Sequence, residues 1–399
     1  MAEADLDTLQ SLVEKSLLRF SNERYWMLET IREYASQLAE RSSDPVSLRH
    51  AGYFLGLAEK FSEENDVLEA DHDNLRAALA YFSDAGAPEE LPLVRALAVF
   101  WMLRGHLREG AEHVAAALAR NPESAPDLRI DVLLSAADFV RDLGEVDRAT
   151  SYTTEALDLA RGLDDRSRIA RALHELGECA MFAEEYGRAT ELFEEAITLG
   201  ARKDAAGSIG NLGYVALLQG DYARAAAASA EALALFRQRR HTSGVVVSLG
   251  NLAEAELGLG QLQEARLHLA ECLELAREAQ FLELIAGCLA IAAALLLETG
   301  NAETAARLTG AEDALFEQIK FSLHPAERRL RARLWEDLHA LLQTSAEELR
   351  DEGRRLTVDE ASTLALEALS ATAEDGLTGT SPSRLSSPQS SRTNSTAPE

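Results

Sequence analysis

The amino-acid sequence predicts an all-α protein built as a right-handed superhelical solenoid of helix-turn-helix repeats. One turn pattern, Gly-Asp/Glu-Tyr/Leu-x-x-Ala with small variations, returns through the middle of the 399 residues. Its steps are 39, 40, 36, 40 and 40 residues, which suit a pair of helices and are too short for a self-sufficient domain; it starts at Gly105, Gly144, Glu184, Gly220, Gly260 and Gly300. The composition agrees, because 47% of the residues are apolar, only 9 are Pro, and no long stretch alternates with period two.

The turn residues have a physical reason. Gly220 can take the positive φ angle that ends one helix before Asp221 opens the next, and the small Ala225 lets the two helices approach closely. The strings Asn211-Leu212-Gly213 and Asn251-Leu252-Ala253 precede two of these turns. Together these features resemble a tetratricopeptide repeat.

The repeats divide the chain into regions. We expect a partial winged helix at 1–45, a helical linker at 46–90, about six tetratricopeptide-like repeats at 91–320, a C-terminal helical cap at 321–373 and a disordered tail at 374–399. From Gly376 to Glu399, Ser, Thr, Pro and Gly make up 16 of 24 residues, which cannot bury enough apolar surface to repay the entropy of ordering. In the cap, Ser345-x-x-Glu348 and Thr357-x-x-Glu360 each predict a capping box at a helix start.

The first 40 residues predict the back half of a winged helix: a helix at Leu6–Val13, a hairpin at Ser16–Leu28 and a second helix at Glu29–Ala39. The strings Leu12 to Leu18 and Met27 to Ala35 resemble the end of the nucleotide-binding region in bacterial STAND-type ATPases. These are large transcriptional regulators in which an ATPase precedes helical repeats. Further strings resemble the same family: Glu69 to Leu79, Ala305 to Ala311, and Glu352 to Thr357.

The resemblance implies that the chain is the C-terminal portion of such a regulator, whose repeat arm receives a signal that the ATPase converts into oligomerisation and transcription control. The chain departs from the family in carrying no Gly-x-x-x-x-Gly-Lys-Ser/Thr loop to hold nucleotide phosphates. It also has Leu28 where many relatives have His, and no LuxR-type helix-turn-helix follows the repeats. We therefore expect no ATP hydrolysis by these residues.

The charge balance limits the partners. With 39 basic and 67 acidic residues the net charge is -28, so a phosphate backbone would repel the chain and direct binding to nucleic acid is not expected. No signal peptide opens the chain and no run of 18 apolar residues occurs, which predicts a cytoplasmic protein without membrane contact.

The sequence offers little chemistry. Cys179, Cys272 and Cys288 fall at small packing positions within repeat helices and are expected to be buried thiols. Asp71-His72-Asp73 cannot converge on one ion, because adjacent helical residues point about 100° apart. We predict no catalytic, cofactor-binding or metal site, and hence no enzyme.

The candidate binding residues lie on the first helix of each repeat, at positions that line the concave groove of tetratricopeptide arrays. His174 and Glu178 share one helix face because they are four residues apart. The full set is Asp138, Arg141, His174, Glu178, Met181, Tyr214, Leu217 and Glu254. An alternative is that these are solvated faces, with Met181 and Leu217 in the core.

These features predict a non-catalytic scaffold that binds a protein, a peptide or a small inducer, as the sensor arm of a STAND-type transcriptional regulator. Two alternatives stay open: a free-standing tetratricopeptide adaptor, and the regulatory arm of a nucleotide cyclase or kinase.

Overall fold

The computed structural model describes residues 6–21, 24–40, 46–62, 65–200, 205–319, 323 and 325–375. In this part of the chain the structure is helical apart from one small hairpin, which confirms the predicted all-α class. The chain forms two compact units, Met1–Phe139 and Val140–Glu399, called unit 1 and unit 2 below.

Unit 1 begins with the predicted helix, hairpin and helix. They are α1 (Leu6–Glu14), the antiparallel strands β1 (Arg19–Ser21) and β2 (Arg24–Trp26), and α2 (Glu29–Glu40). None of the residues of α1 is buried, and Leu6, Phe20 and Tyr34 are exposed. The apolar faces of this segment therefore remain accessible.

The rest of unit 1 packs around a core that includes Phe54, Leu75, Phe82, Phe100 and Trp101. Its helices are α3 (Val46–Lys60), α4 (Asn65–Ala70), α5 (His72–Ala85), α6 (Glu90–Leu103), α7 (Leu107–Arg120) and most of α8 (Pro126–Asp142).

Unit 2 consists largely of paired helices. After the end of α8 come α9 (Val146–Gly162), α10 (Arg166–Phe182), α11 (Tyr186–Leu199), α12 (Ala206–Leu218), α13 (Tyr222–Arg239), α14 (Thr242–Gly258), α15 (Leu262–Glu278), α16 (Leu282–Glu298) and α17 (Ala302–Ile319). Each first helix packs against its own second helix, and α10, α12, α14 and α16 also contact one another in succession. This is the packing expected of tetratricopeptide repeats.

The predicted turns have the expected backbone. Gly220 has a φ of 76°, and the other five turn starts also have positive φ, including Glu184 at 60°. The Asp221 backbone N–H donates to the Ala216 carbonyl at 2.9 Å, so the carbonyls at the helix end are satisfied.

Three helices follow the repeats: α18 (Pro325–Leu342), α19 (Ser345–Arg354) and α20 (Val358–Asp375). Helices α17 and α19 cross backbone to backbone at two glycines. A Cβ atom on Gly310 would lie 1.9 Å from the Arg350 carbonyl oxygen, and one on Gly353 would lie 1.8 Å from that of Arg307. Two of the strings that resemble the STAND-type family thus meet at this crossing.

One of the two predicted capping boxes is confirmed. The Glu360 carboxylate accepts from the Thr357 backbone N–H at 2.8 Å, and the Thr357 hydroxyl accepts from the Glu360 N–H at 3.2 Å. The box at Ser345 is wrong, because Ser345 lies inside α19 and its hydroxyl donates to the Leu342 carbonyl at 2.8 Å.

The three cysteines are free and buried, as predicted, and the Sγ atoms of Cys272 and Cys288 lie 3.1 Å apart. Among the helices that the structure describes, none combines the length and the apolar character needed to cross a bilayer. The tail expected at 374–399 lies, beyond Asp375, outside the described residues.

Candidate functional site

The first helices of unit 2 form one continuous surface, which we call the first-helix surface. It is made by α10, α12, α14 and α16, which contact one another in succession, and by the end of α8, where Arg141 contacts α10. The carboxylate of Asp142 at the end of α8 acts electrostatically on Glu283 of α16, although three first helices lie between them. The surface is therefore curved inward.

One end of this surface is organised around Arg141. Its side chain is buried, and its Nη1 atom lies 2.9 Å from Glu175 Oε2 and 2.6 Å from Glu178 Oε2. A buried guanidinium between two carboxylates compensates charges that would otherwise be costly to remove from water. This contact ties α8 to α10.

The same network continues to α12. His174 Nδ1 lies 3.0 Å from the Ser208 hydroxyl, and its Nε2 lies 3.4 Å from Glu178 Oε1. The Asn211 side-chain amide donates to Glu178 Oε1 at 2.8 Å. We call this set the paired end of the surface: Arg141, His174, Glu175, Glu178, Ser208 and Asn211.

Glu178 is held as a carboxylate. Burial alone would raise its pKa, but the charge of Arg141 and the hydrogen bonds from His174 and Asn211 outweigh burial and hold the pKa well below its usual range. The side chain is therefore ionised throughout the physiological range and serves as the fixed anion of the network.

The paired end contains three potential metal ligands, since ligand atoms of His174, Glu175 and Glu178 lie within 4.8 Å of one another. The guanidinium of Arg141 already lies between the two carboxylates. The cationic position is thus filled by a side chain, and the cluster is an ion-pair network.

The other end is built differently. The Tyr214 hydroxyl on α12 donates to Glu327 Oε1 on α18 at 2.5 Å, and Arg329 on α18 contacts both oxygens of Glu184 at 3.0 and 2.9 Å. The start of α18 therefore lies against the first-helix surface. Burial and the neighbouring Glu327 carboxylate raise the pKa of Tyr214, so its phenol stays protonated.

Two further carboxyl groups accompany Glu327. Burial, with repulsion from Glu327, raises the pKa of Glu254 to about 7. Burial, with repulsion from Asp142 and Glu327, raises the pKa of Glu283 to about 7, although Glu283 is exposed to water on one side. Because Glu283 is the more exposed, we expect its proton affinity to be the less perturbed. We call Tyr214, Glu254, Glu283 and Glu327 the acidic end.

The remaining residues expected in the groove lie elsewhere. Met181 and Leu217 are only 6% and 7% exposed and pack in small core clusters of unit 2, the placement that the alternative interpretation anticipated. Asp138 is half-buried on the part of α8 that belongs to unit 1. Of the eight candidates, the structure brings Arg141, His174 and Glu178 together at the paired end and Tyr214 and Glu254 together at the acidic end.

Sequence reasoning missed the partners of these residues: Glu175, Ser208, Asn211, Glu283 and Glu327. Repeat alignment carries no signal for these pairs. Arg141 and Glu175 are 34 residues apart, as are His174 and Ser208, whereas the corresponding turn steps are 40 and 36 residues.

Comparison with known proteins supports the repeat fold. The sequence model of the family "Tetratricopeptide repeat" matches residues 204–278, which span α12 to α15. The chain is also similar to "Putative HTH-type transcriptional regulator Rv0890c" of Mycobacterium tuberculosis (strain ATCC 25618 / H37Rv), with 30% identity over 230 residues. That match covers 42% of this chain and 26% of the relative, so the chain spans about a quarter of the relative's length.

Among solved structures, the apo form of the quorum sensor NprR from B. thuringiensis has a TM-score of 0.55 and 15% identity, over 91% of this chain and 96% of that chain. The STAND protein PH0952 from Pyrococcus horikoshii, which has a tetratricopeptide repeat sensor, has a TM-score of 0.45 and 15% identity, over 93% of this chain and 60% of that chain. The similarity to NprR establishes a shared fold and nothing further.

Proposed function

We propose that unit 2 is a non-catalytic binding arm that takes a cationic segment of a protein or peptide on the first-helix surface, and that this arm serves a transcriptional regulator. The observation that supports this proposal is the arrangement of carboxyl groups at the acidic end. Glu254 and Glu283 lie on an inward-curved surface beside Glu327, and in the described part of the chain no Lys or Arg forms an ion pair with either.

The chemistry of the acidic end favours a cationic ligand. Burial and repulsion from neighbouring carboxylates raise the pKa values of Glu254 and Glu283 to about 7, so both groups are partly protonated near neutral pH. A Lys or Arg side chain placed among them would relieve that repulsion and allow them to ionise. Binding is then expected to release protons near neutral pH and to weaken with salt.

Helix α18 already shows the complementary contact. Its Arg329 holds Glu184 through both guanidinium nitrogens, and its Glu327 accepts from Tyr214. The Arg329–Glu184 pair is exposed, and exposed ion pairs contribute at most about 1 kcal/mol. A ligand that offers its own Arg could therefore replace Arg329 at little cost.

The regulatory role draws support from sequence. The 30% identical relative is named as an HTH-type transcriptional regulator, and the strings near both ends resemble STAND-type ATPases. In that arrangement the paired end keeps the spacing of the first helices while the acidic end receives the signal. This is the sensor-arm role.

A peptide-display experiment tests the binding function. The full chain is immobilised and panned with a library of random twelve-residue peptides, and the affinities of recovered peptides are measured by fluorescence anisotropy. We expect basic peptides whose affinity falls at least about tenfold when Glu254→Gln and Glu283→Gln remove the charges, since each lost contact with a charged group costs about 1.5 kcal/mol or more.

The matched control is the double variant Glu264→Gln and Glu274→Gln, which changes the same charge on the exposed face of α15. Equal losses in both variants would reduce the effect to net charge and contradict a site at the acidic end. Recovery of no enriched peptide would count against peptide binding, and a small inducer would then be the remaining ligand class.

The regulatory assignment has its own test. The genomic DNA upstream of the codon for Met1 is sequenced and translated in frame. A P-loop ATPase leading into a winged helix supports the sensor-arm role, whereas an unrelated reading frame favours the free-standing adaptor.

A further inference from the structure

A second cluster of metal-ligating side chains lies in unit 1, away from the first-helix surface. Glu69 near the end of α4, His72 at the start of α5 and His106 just before α7 place one ligand atom each within 4.8 Å of the others. Glu69 and His106 are 37 residues apart in sequence, so only the fold brings them together.

The distances are close to those of a metal centre. His106 Nε2 lies 3.4 Å from Glu69 Oε2. Ligand atoms about 2.0 to 2.1 Å from a tetrahedral zinc ion are about 3.4 Å apart, so this pair already has the required separation. The two imidazole rings lie 4.5 Å apart between centroids, and a ring nitrogen of His72 lies within 4.8 Å of the ligand atoms of Glu69 and His106.

The neighbouring arginines are occupied by other carboxylates. Arg76 holds Glu109 through Nε at 2.7 Å and Nη2 at 2.6 Å, and Arg104 contacts Asp66. In the described residues the ion-pair partner of Glu69 is His106. This distinguishes the cluster from His174, Glu175 and Glu178 in unit 2, where Arg141 fills the cationic position.

The second layer of contacts also suits a metal. Glu109 Oε1 lies 3.2 Å from His72 Nε2, and a carboxylate at one imidazole nitrogen is the usual means of fixing a metal-binding histidine. The ring of His72 is buried against Phe100, with centroids 5.0 Å apart.

We propose that Glu69, His72 and His106 form a zinc-binding site. Two imidazoles and one carboxylate are a donor set that zinc prefers and that magnesium and calcium do not, and a water molecule would complete four-coordination. Bound zinc would join α4, the start of α5 and the turn between α6 and α7. Its role is to stabilise unit 1 where three helix ends meet.

Sequence patterns did not reveal this site. The adjacent residues Asp71, His72 and Asp73 cannot bind one ion together, and the structure supplies different partners for His72. Glu69 lies one helical turn away across the break between α4 and α5, and His106 comes from the next helix pair.

Zinc titration of the full, untagged chain tests the proposal. Zinc chloride is added after dialysis against a chelator, and binding is followed by calorimetry and by competition with a chromophoric chelator. We expect one equivalent to bind and the melting temperature to rise with zinc concentration. Cobalt in place of zinc should give the visible absorption of a tetrahedral site.

The variants Glu69→Gln and His106→Asn should each weaken zinc binding at least about tenfold, whereas the exposed His339→Asn on α18 should not change it. Glu69 and His106 are partly exposed, so both variants are expected to fold; circular dichroism of the zinc-free proteins checks this. No binding by the parent chain, or equal affinity in all variants, overturns the proposal.

Discussion

The two ends of the first-helix surface solve the same electrostatic problem in opposite ways. At the paired end, Arg141 neutralises Glu175 and Glu178, and His174 and Asn211 add hydrogen bonds. At the acidic end, Glu254 and Glu283 lie near Glu327 without such a cation, and protons take its place. One surface thus combines a region fixed by internal partners with the region that we propose to bind a cationic ligand.

The difference shows how a repeat array separates shape from recognition. The paired end joins α8, α10 and α12 through side chains and so fixes their spacing. The acidic end is covered in part by the start of α18, where the Arg329–Glu184 pair is exposed to water. Stability and ligand binding are therefore expected to depend on different residues.

The largest effect should come from removing the support of the acidic end. Helix α18 is anchored to α17 by Arg331, 2.7 Å from Glu312 and 3.1 Å from Asp313, and α17 is positioned by its crossing with α19. Gly310→Ala puts a methyl group into the Arg350 carbonyl and should cost about 5 kcal/mol or more. Amide hydrogen exchange should become faster across α17 to α19 and should change least at the paired end.

Gly287→Ala is the matched control, because nothing lies within 4 Å of its Cβ position in the middle of α16. It should stabilise the helix by up to about 1 kcal/mol. Similar urea midpoints for the two variants would show that the α17–α19 crossing does not require glycine.

The next largest effect should come from breaking the paired end. Arg141→Leu leaves Glu175 and Glu178 without their cation and should cost about 3 to 5 kcal/mol in urea unfolding. Adding Glu175→Gln and Glu178→Gln should recover much of that loss. Arg148→Leu, at an exposed pair with Glu145, should cost below about 1 kcal/mol.

A change of pH should alter the stability contributed by the acidic end and leave that of the paired end unchanged. The pKa values of Glu254 and Glu283 are raised to about 7, so the folded state holds more protons than the unfolded state above the usual pKa near 4.5. The contribution of these two carboxyl groups to the free energy of unfolding should therefore fall as pH rises from about 5 to about 8. Replacing both residues by Gln should flatten this dependence in thermal melts.

Glu178 supplies the contrast. Its pKa is lowered, so its stabilising contribution is complete above the unfolded value and is lost only in acid below it. The destabilisation by Glu178→Gln should hence stay constant between about pH 5.5 and about pH 8. A loss that varied across this window would remove the distinction between the two ends.

The smallest effect concerns α20, which packs against α15, α16 and α17 behind the acidic end. Thr357→Ala removes a confirmed capping box and should cost about 1 kcal/mol. Ser345→Ala removes a hydroxyl that donates to the Leu342 carbonyl, three residues earlier, and should change the free energy of unfolding by less than about 0.5 kcal/mol. Equal effects would mean that capping geometry does not matter here.

Local sequence rules predicted what depends on local geometry. The positive φ of Gly220, the hairpin between α1 and α2 and the Thr357 box all involve residues within a few positions of one another. The face shared by His174 and Glu178 follows from the helical period and is confirmed by their 3.4 Å contact.

The rest depends on contacts that repeat alignment does not reveal. Arg141 meets Glu175 although the 40-residue turn step aligns Arg141 with Met181, so the partners are not at equivalent repeat positions. The closeness of Gly310 and Gly353 requires knowing that α17 and α19 cross. Likewise, no periodicity places Glu327 beside Tyr214, 113 residues earlier.

That last contact has a mechanical consequence. In an array in which each repeat touches only its neighbours, the repeats are coupled only locally, and unfolding can begin at an end. Helix α18 joins the far end of unit 2 to Tyr214 and Glu184 across 113 and 145 residues, and so works as a brace across the curve. With α18 in place, unit 2 should resist stretching and unfold in one step. With α18 released, the repeats should be easier to extend.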